Sequence, residues 1–341
     1  MSKVSILGAG AWGTALAIVV GRKGSHEVCL WAREKEVADS IATQRANNAF
    51  LPGCPIPENV AVTTSYKDCV SGAEIVLCAV PSQHCRSIFQ EVEKYLGPET
   101  LLVSATKGLE QSSLMRMTSV IADVVKSRRN FSPLVGALSG PSFAAEVARG
   151  DPTAITIASN HAALAETVQQ ALSDSRFRVY RSDDVVGVEL GGALKNIIAI
   201  AAGVCHGLSL GHNSIAALIT RGLAEITRLV VACGGREQTM AGLAGLGDLV
   251  LTCTGELSRN RSVGVELGRN RKLPEILANM HGAVAEGIFT TYAAVGLARA
   301  HQIEMPITEQ MHAILREGKP PKEAIRDLMA RSAKSEIALN S

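Results

Sequence analysis

A lysine stands in the middle of an otherwise apolar helical segment. Lys195 and Asn196 interrupt the run ELGGALKNIIAIAAGV, and the small residues Gly191, Gly192 and Ala193 precede them by one turn. A lysine in that setting must extend to solvent, pair with an anion or line a cleft. Desolvation in a cleft lowers the lysine pKa toward neutral pH, as general acid/base catalysis requires. Mid-helix glycines indicate close approach of a ligand or of another backbone. Lys195 is therefore the first catalytic candidate, with a structural lysine that reaches solvent as the alternative.

A second group of polar residues lies in the segment GLAGLGDLVLTCTGELSRNRSVG. Asp248 follows a glycine-rich turn, and Thr252 comes one helical turn later. Ser258 can cap a helix that begins at Arg259. That helix would place Ser258, Arg259 and Asn260 where backbone amides and a guanidinium could hold a phosphate. The alternative is a capped surface helix with solvated arginines, which spacing alone favours slightly.

The start of the chain has the pattern of a dinucleotide-binding turn. A short apolar strand runs directly into Gly8, Gly10 and Gly13 and then into helix-forming residues, the context in which this glycine spacing is informative. Gly8 permits the tight turn, Gly10 lets a pyrophosphate approach, and Gly13 lets helix and strand pack closely. The amides of the helix N-terminus would bind the anion. An ordinary glycine-rich turn is the alternative.

The residue after the second strand indicates which cofactor this turn would hold. NAD-selective sites usually place an acidic residue about twenty residues beyond the glycines, on the ribose 2′-hydroxyl. This chain has Arg33 there, followed by Glu34. A guanidinium can stack on adenine and pair with a 2′-phosphate, so Arg33 favours NADPH or the use of both cofactors. A solvated loop charge is the alternative.

The elements that must position these groups follow from hydrophobic periodicity. Apolar β-rich runs at residues 4–7, 28–31, 75–80, 101–104, 134–138, 154–158 and 177–180 alternate with amphipathic stretches. This alternation predicts a mostly parallel sheet covered by helices on both faces, a Rossmann-like doubly wound α/β domain. Beyond residue 185, Ala/Leu/Ile/Gly segments at helical spacing predict an all-α domain. The polar stretch 181–184 lies between them, so we expect domains at residues 1–184 and 185–341.

Several candidate ligand contacts follow the predicted strands. In open α/β sheets, ligands bind beyond the carboxyl ends of the strands. Ser82, Lys107, Gly140 and Ser142 lie at such ends. Their shared position is more informative than any one of them. Separately, each glycine could be a turn former without a ligand, and a loop lysine is exposed by default.

Composition narrows the class of protein. The 341 residues, 47% of them hydrophobic, are enough for two domains with their own cores. The net charge of +2, from 34 basic and 32 acidic residues, offers no broad field for nucleic acid. The eight cysteines lack zinc-site spacing and fit free thiols in a reducing compartment. No signal peptide is evident, and no apolar run reaches the length needed to span a bilayer. We therefore expect a soluble, cytoplasmic protein.

The motifs together resemble a known family. The segments GAGAWGTALA, ATKGLE, SGPSFAAEV, LGGALKNIIAI, AGLGDLVLTCT with SRNR, and EMPIT are similar, in order and spacing, to those of bacterial NAD(P)-dependent glycerol-3-phosphate dehydrogenases. The resemblance covers nearly the whole chain. It implies interconversion of glycerol 3-phosphate and dihydroxyacetone phosphate with NADP or NAD, supplying glycerol 3-phosphate for phospholipid synthesis.

The resemblance also implies a role for each matched residue. Lys195 would accept the proton in glycerol 3-phosphate oxidation and donate it in the reverse direction, with Lys107 and Asp248 as further catalytic residues. The implied substrate contacts are Lys107, Gly140, Ser142, Lys195, Asp248, Ser258, Arg259 and Asn260. The implied cofactor contacts, besides the three glycines, are Ala11, Trp12, Arg33, Lys107, Ala144, Arg259, Val284 and Glu286. Relatives often have serine at position 11, so a contact from Ala11 would come from its backbone amide.

Two other functions fit many of the same residues. Another β-hydroxyacid-type dehydrogenase would also combine a Rossmann domain with a helical domain that carries a lysine, but its substrates need a carboxylate anchor. A regulatory protein that senses NAD(P)H without turnover is the alternative from a different class, although no DNA-binding or partner module is recognisable. For a dehydrogenase we expect a small-molecule substrate and no metal, because the nicotinamide carries the redox chemistry. The oligomeric state stays open, a homodimer included.

Overall fold

The first half of the chain alternates strands and helices. A computed structural model describes residues 2–280, 284–333 and 335–336. Its strands are β1 (Ser2–Leu7), β2 (His26–Trp31), β3 (Ala46–Asn47), β4 (Leu51–Pro55), β5 (Val60–Thr63), β6 (Ile75–Cys78), β7 (Leu101–Ser104), β8 (Leu134–Ser139), β9 (Thr153–Ala158) and β10 (Phe177–Ser182). The helices between them are α1 (Ala11–Lys23), α2 (Lys35–Gln44), α3 (Tyr66–Val70), α4 (Cys85–Val92), α5 (Met117–Arg128), α6 (Ala144–Arg149) and α7 (Ala162–Leu172).

Eight of these strands form one twisted sheet, in the order β10-β9-β8-β7-β6-β1-β2-β5. Neighbouring strands are parallel except β8 and β9, which are antiparallel. The predicted mostly parallel sheet is therefore confirmed, with its last two strands reversed. The sequence does not predict β5, because its apolar run, residues 60–62, is only three residues long and Val60 is its one fully buried residue. The β3–β4 hairpin is missed for the same reason, since its strands are short and partly exposed.

The sheet is covered on both faces, as the parallel topology requires. Successive side chains of a strand point to opposite faces. Ile6 accordingly packs in the core formed with α1 and α7, whereas Leu7 packs in the core formed with α3, α4 and α5. The carboxyl ends of β1, β6, β7 and β8 meet at one edge of the sheet, which faces the second half of the chain.

The second half is helical in the residues that the structure describes. Its helices are α8 (Val185–Gly207), α9 (His212–Ala232), α10 (Glu237–Met240), α11 (Asp248–Thr254), α12 (Arg259–Gly268), α13 (Leu273–Ala278), α14 (Glu286–Ala300), α15 (Pro306–Glu317) and α16 (Pro321–Met329). A short π-helix, Leu243–Gly247, leads directly into α11. Helix α8 is central, with α9, α11, α12 and α14 packed around it. This arrangement confirms the predicted all-α part.

Helix α8 corrects one expectation from the sequence. We expected no apolar run long enough to span a bilayer, yet the 23 residues of α8 meet that criterion by length and hydropathy. Of its most apolar stretch, 89% is buried inside the protein. Side chains on every face of α8 contact other elements, and a helix that is apolar all round is typical of the core of a large domain. Helix α8 is therefore the core helix of the second half.

Glycines let α8 and α12 approach each other closely. A Cβ atom on Gly264 would overlap the carbonyl oxygen of Ile200, and one on Gly203 would overlap the carbonyl oxygen of Arg261. The mid-helix Gly191 has a similar role, because a Cβ there would lie 2.8 Å from the carbonyl oxygen of Ala244. Of the two explanations that the sequence allowed for such glycines, approach of another backbone holds at these positions.

We expect Gly264→Ala to destabilise the protein. Alanine is the better helix former, but its Cβ would push α12 off α8, and overpacking of this kind typically costs about 1–3 kcal/mol. The free energy of unfolding, measured in urea, should therefore fall. Gly247→Ala is the matched control, because Gly247 is also helical, with φ −59° and ψ −51°, and a Cβ there would meet its nearest atoms at 3.6–3.7 Å, an ordinary contact distance. Equal stability of the two variants would contradict backbone-to-backbone packing of α8 and α12.

Candidate active site

One buried carboxylate binds two lysines. Oδ2 of Asp248 lies 2.7 Å from Nζ of Lys107, and Oδ1 lies 3.0 Å from Nζ of Lys195. Asp248 is 1% exposed and Lys195 6% exposed. The three residues come from the loop after β7, the middle of α8 and the first turn of α11. Three candidates that are far apart in the sequence therefore form one cluster.

The environment of Lys195 lowers its pKa to about 8. Burial is the main cause, since an ammonium loses hydration there, and the charge of Lys107 lowers the pKa further. The Asp248 carboxylate opposes both effects. Nζ of Lys195 also donates a hydrogen bond of 2.6 Å to Oγ1 of Thr252, which in turn donates to the Asp248 carbonyl oxygen at 2.6 Å. Two of its three donors are used within the described residues, and one is left for a ligand.

Lys107 differs from Lys195 because all its donors are engaged. Its Nζ contacts the Gly140 carbonyl oxygen at 2.7 Å and Oγ of Ser142 at 3.3 Å, in addition to Asp248. Ser142 also donates to the Gly140 carbonyl oxygen, at 2.8 Å. Lys107 therefore ties the loops after β7 and β8 to α11. A substrate that contacts Lys107 would have to replace one of these bonds.

Ser258 and Asn260, two of the three candidates for phosphate contact, use their side chains within the protein. Oγ of Ser258 accepts from the amide of Arg261 at 3.2 Å, so Ser258 caps α12 as the sequence indicates. Asn260 donates to Oδ1 of Asn196 at 2.9 Å and accepts from the amide of Gly287 at 3.0 Å. Ser258 thus stabilises the start of α12, and Asn260 holds it against α8 and α14.

Arg259, the third candidate, has a free guanidinium. It forms no hydrogen bond or ion pair with any residue that the structure describes, and its side chain reaches solvent. The protein around it nevertheless lowers its pKa by desolvation, against the opposing charge of Glu286. A guanidinium that reaches solvent, has no partner and is partly desolvated is typical of a binding site for an anion. Arg259 is therefore the group of the three that can take an anion.

The glycine-rich turn has the shape that a pyrophosphate requires. Gly8 has a φ of 109° and lies against Ala79 and Val80, just after β6, and a Cβ on Gly13 would overlap the Gly8 carbonyl oxygen. A Cβ on Gly10, in contrast, would meet nothing within 4 Å, so space is open at the N-terminus of α1. That helix has no side-chain cap and no acid in its first turn. Nε1 of Trp12, in the same turn, is buried without a hydrogen-bond partner. The turn thus fits a dinucleotide.

The other predicted cofactor contacts lie at element ends. Arg33 follows β2, and its 70% exposed side chain donates to Oε1 of Glu34 at 2.8 Å. Ala11 and Ala144 begin α1 and α6, which pack on each other. Val284 is half-buried just before α14, and Glu286 begins that helix.

Three residues of the site make contacts that the sequence did not predict, although Ser82 was a general candidate for ligand contact. Thr252 holds Lys195, Asn196 links Lys107 to Asn260, and Ser82 binds Glu286. The spacing of Thr252, four residues after Asp248 on one helix face, was a usable signal. Asn196 was indicated only by its neighbour Lys195, and Ser82 only by its place after a strand. Their contacts could not be predicted, because their partners lie far along the chain.

Comparisons with known proteins agree with this geometry. The family models for the NAD-dependent glycerol-3-phosphate dehydrogenase N-terminus and C-terminus match residues 3–165 and 184–326. Glycerol-3-phosphate dehydrogenase [NAD(P)+] of Koribacter versatilis is 62% identical over 99% of this chain and 100% of that protein. The enzyme of the same name from Acidobacterium capsulatum is 53% identical over 98% of this chain and 100% of its own.

A solved structure gives the same result. The crystal structure of glycerol-3-phosphate dehydrogenase from Coxiella burnetii superposes with a TM-score of 0.92 at 41% identity, covering 97% of this chain and 99% of that one. Fold, sequence and the order of the motifs agree over both halves. The chain belongs to the NAD-dependent glycerol-3-phosphate dehydrogenase family.

Proposed function

We propose that this protein reduces dihydroxyacetone phosphate to sn-glycerol 3-phosphate with NADPH or NADH, reversibly, and so supplies phospholipid synthesis. Membership of the family supports the reaction and the cofactor. The observation that carries the proposal for this chain is a buried lysine with a pKa of about 8 that shares a carboxylate with a second lysine. Arg259, whose guanidinium is free among the described residues, precedes Asn260, which is hydrogen-bonded to Asn196, the neighbour of Lys195.

Lys195 is proposed as the general acid/base. When bound, the nicotinamide cofactor supplies or accepts the hydride. In reduction, Lys195 donates a proton to the carbonyl oxygen on C2 as that oxygen gains negative charge, and in oxidation it takes the proton back. A pKa of about 8 suits both directions near neutral pH, because both protonation states are accessible. Asp248 and Thr252 hold the amine in place, and Lys107 positions Asp248 and the loop with Gly140 and Ser142.

The remaining candidate residues are proposed to bind the substrate or the cofactor. Arg259 takes the substrate phosphate, with Ser258 and Asn260 fixing the turn that presents it. For the cofactor, we propose the amides of Ala11 and Trp12 and the three glycines at the pyrophosphate, and Arg33 at the adenosine end. The contacts proposed for Lys107, Ala144, Val284 and Glu286 rest on the family pattern.

We further propose a cytoplasmic location and a functional division at residues 184 and 185. All eight cysteines are free thiols and seven are buried, which suits a reducing compartment. The proposed division falls between the end of β10 at Ser182 and the start of α8 at Val185. We also propose a homodimer, and sedimentation would measure the oligomeric state.

The function is tested by following the absorbance of NADPH and of NADH in the presence of dihydroxyacetone phosphate. We expect oxidation of either cofactor to depend on the phosphorylated ketone. A carboxylated ketone should be inactive. Turnover of the carboxylated substrate but not of dihydroxyacetone phosphate would overturn the proposal.

Lys195→Ala should abolish most turnover while leaving the fold and the cofactor turn intact. General acid/base catalysis is typically worth about a hundred- to ten-thousandfold, so kcat should fall by that factor. Lys195→Arg should not restore it, because arginine stays protonated at neutral pH. Binding of NADPH, measured by fluorescence, is expected to persist. If kcat of Lys195→Ala stays within a few-fold of the parent, another group transfers the proton.

Arg259→Ala should weaken binding of the phosphorylated substrate. Losing one charge-assisted contact costs about 1.5–3 kcal/mol, roughly a ten- to hundredfold rise in KM for dihydroxyacetone phosphate. Unphosphorylated dihydroxyacetone should be poor with both proteins and should change little. Arg269→Ala, at the other end of α12 where Arg269 pairs with Glu266, is the control and should behave as the parent. An equal proportional loss on both substrates would show that Arg259 acts through the fold or the cofactor.

A further inference from the structure

Ser82 and Glu286 form a contact between the two halves of the chain. The amide of Ser82 donates to Oε1 of Glu286 at 2.9 Å, and its hydroxyl donates to Oε2 at 2.5 Å. Ser82 follows β6 in the α/β half, whereas Glu286 begins α14 in the helical half. Both carboxylate oxygens are therefore engaged by one serine, 204 residues away in the sequence.

Glu286 is at the same time a neighbour of Arg259. The hydrogen bond from the amide of Gly287 to Oδ1 of Asn260, 3.0 Å long, holds the starts of α14 and α12 side by side. The charges of Glu286 and Arg259 influence each other, yet no ion pair joins them in the part of the chain that the structure describes. Opposite charges in a partly dehydrated cleft attract strongly, and a guanidinium pairs well with a carboxylate. Some other contact must therefore keep the Glu286 carboxylate and the Arg259 guanidinium from pairing.

The hydrogen bonds from Ser82 to the Glu286 carboxylate account for this. A carboxylate that accepts two hydrogen bonds from Ser82 is turned toward the α/β half. Gly108 makes room for this arrangement, because a Cβ there would lie 2.6 Å from Oε2 of Glu286 and 2.7 Å from Oγ of Ser82. Oγ of Ser82 is itself held by the side-chain amide of Gln83 at 3.1 Å. The hydroxyl is thus fixed in position to donate to Glu286.

We propose that Ser82 is a positioning residue that holds Glu286 away from Arg259 and so keeps the guanidinium available for the substrate phosphate. This inference rests on the function proposed above. A glutamate released by Ser82 would pair with Arg259, and the phosphate would then have to displace it. Ser82 acts through Glu286 and needs no contact with the substrate.

The test compares Ser82→Ala with the double variant Ser82→Ala/Glu286→Gln. Ser82→Ala frees one carboxylate oxygen, so KM for dihydroxyacetone phosphate at saturating NADPH should rise, by about tenfold if the new ion pair is worth about 1.4 kcal/mol. In the double variant the neutral amide cannot neutralise Arg259, so KM should return toward the parent value. Glu286 is also a proposed cofactor contact, so NADPH is raised until it saturates each variant, and KM rather than kcat is compared. Ser87→Ala is the matched control, because the hydroxyl of Ser87 is exposed and donates only to the His84 carbonyl oxygen, and its KM should not change.

A second readout needs no turnover. The affinity for inorganic phosphate, measured by calorimetry on the same four proteins, should fall in Ser82→Ala and recover in the double variant. A purely structural contact between the halves would give the opposite order, with the double variant the weakest. That order, or an unchanged KM and phosphate affinity in Ser82→Ala, would overturn the inference. If the four proteins bind phosphate in the expected order but the parent does not reduce dihydroxyacetone phosphate, only the proposed function is overturned.

Discussion

A single buried carboxylate, shared by two ammonium groups, is the interaction on which the site depends. Burying the carboxylate of Asp248 is costly unless charges and hydrogen bonds compensate, and Lys107 and Lys195 do so at 2.7 and 3.0 Å. One negative charge between two positive charges leaves the cluster cationic. Burial then holds the pKa of Lys195 at about 8 rather than at its usual value. The cluster thus provides both a proton donor and an attraction for an anionic substrate.

The fold brings the cluster together through backbone contacts that glycines allow. Close packing of α8 on α12 sets Asn260 beside Asn196, which donates to the Lys107 carbonyl oxygen at 3.2 Å. Arg259 begins the same helix, α12. From the other side, Lys107 reaches α11 from a loop at the carboxyl edge of the sheet. The catalytic cluster therefore lies where the α/β half and the helical half meet, and it needs both.

Local patterns in the sequence were enough to predict much of this architecture. The strands in the middle of the sheet are mostly apolar, and Lys195 is an isolated charge in an apolar helix. Edge strand β5 and the reversal of β9 were not predictable, because neither leaves a local periodic pattern. Contacts between residues that are far apart in the sequence could not be predicted either. The bond of Lys107 to Asp248 and the contact of Ser82 with Glu286 join residues that are 141 and 204 positions apart.

The pH dependence of kcat/KM for dihydroxyacetone phosphate reduction, compared between the parent and Asp248→Asn, tests the shared carboxylate most directly. Reduction requires protonated Lys195, so kcat/KM of the parent should fall as the pH rises through about 8. Asparagine lacks the charge that raises the Lys195 pKa, while burial and Lys107 continue to lower it. The midpoint should therefore move to lower pH in Asp248→Asn. A midpoint that stays in place or rises would contradict the claim that Asp248 keeps Lys195 protonated.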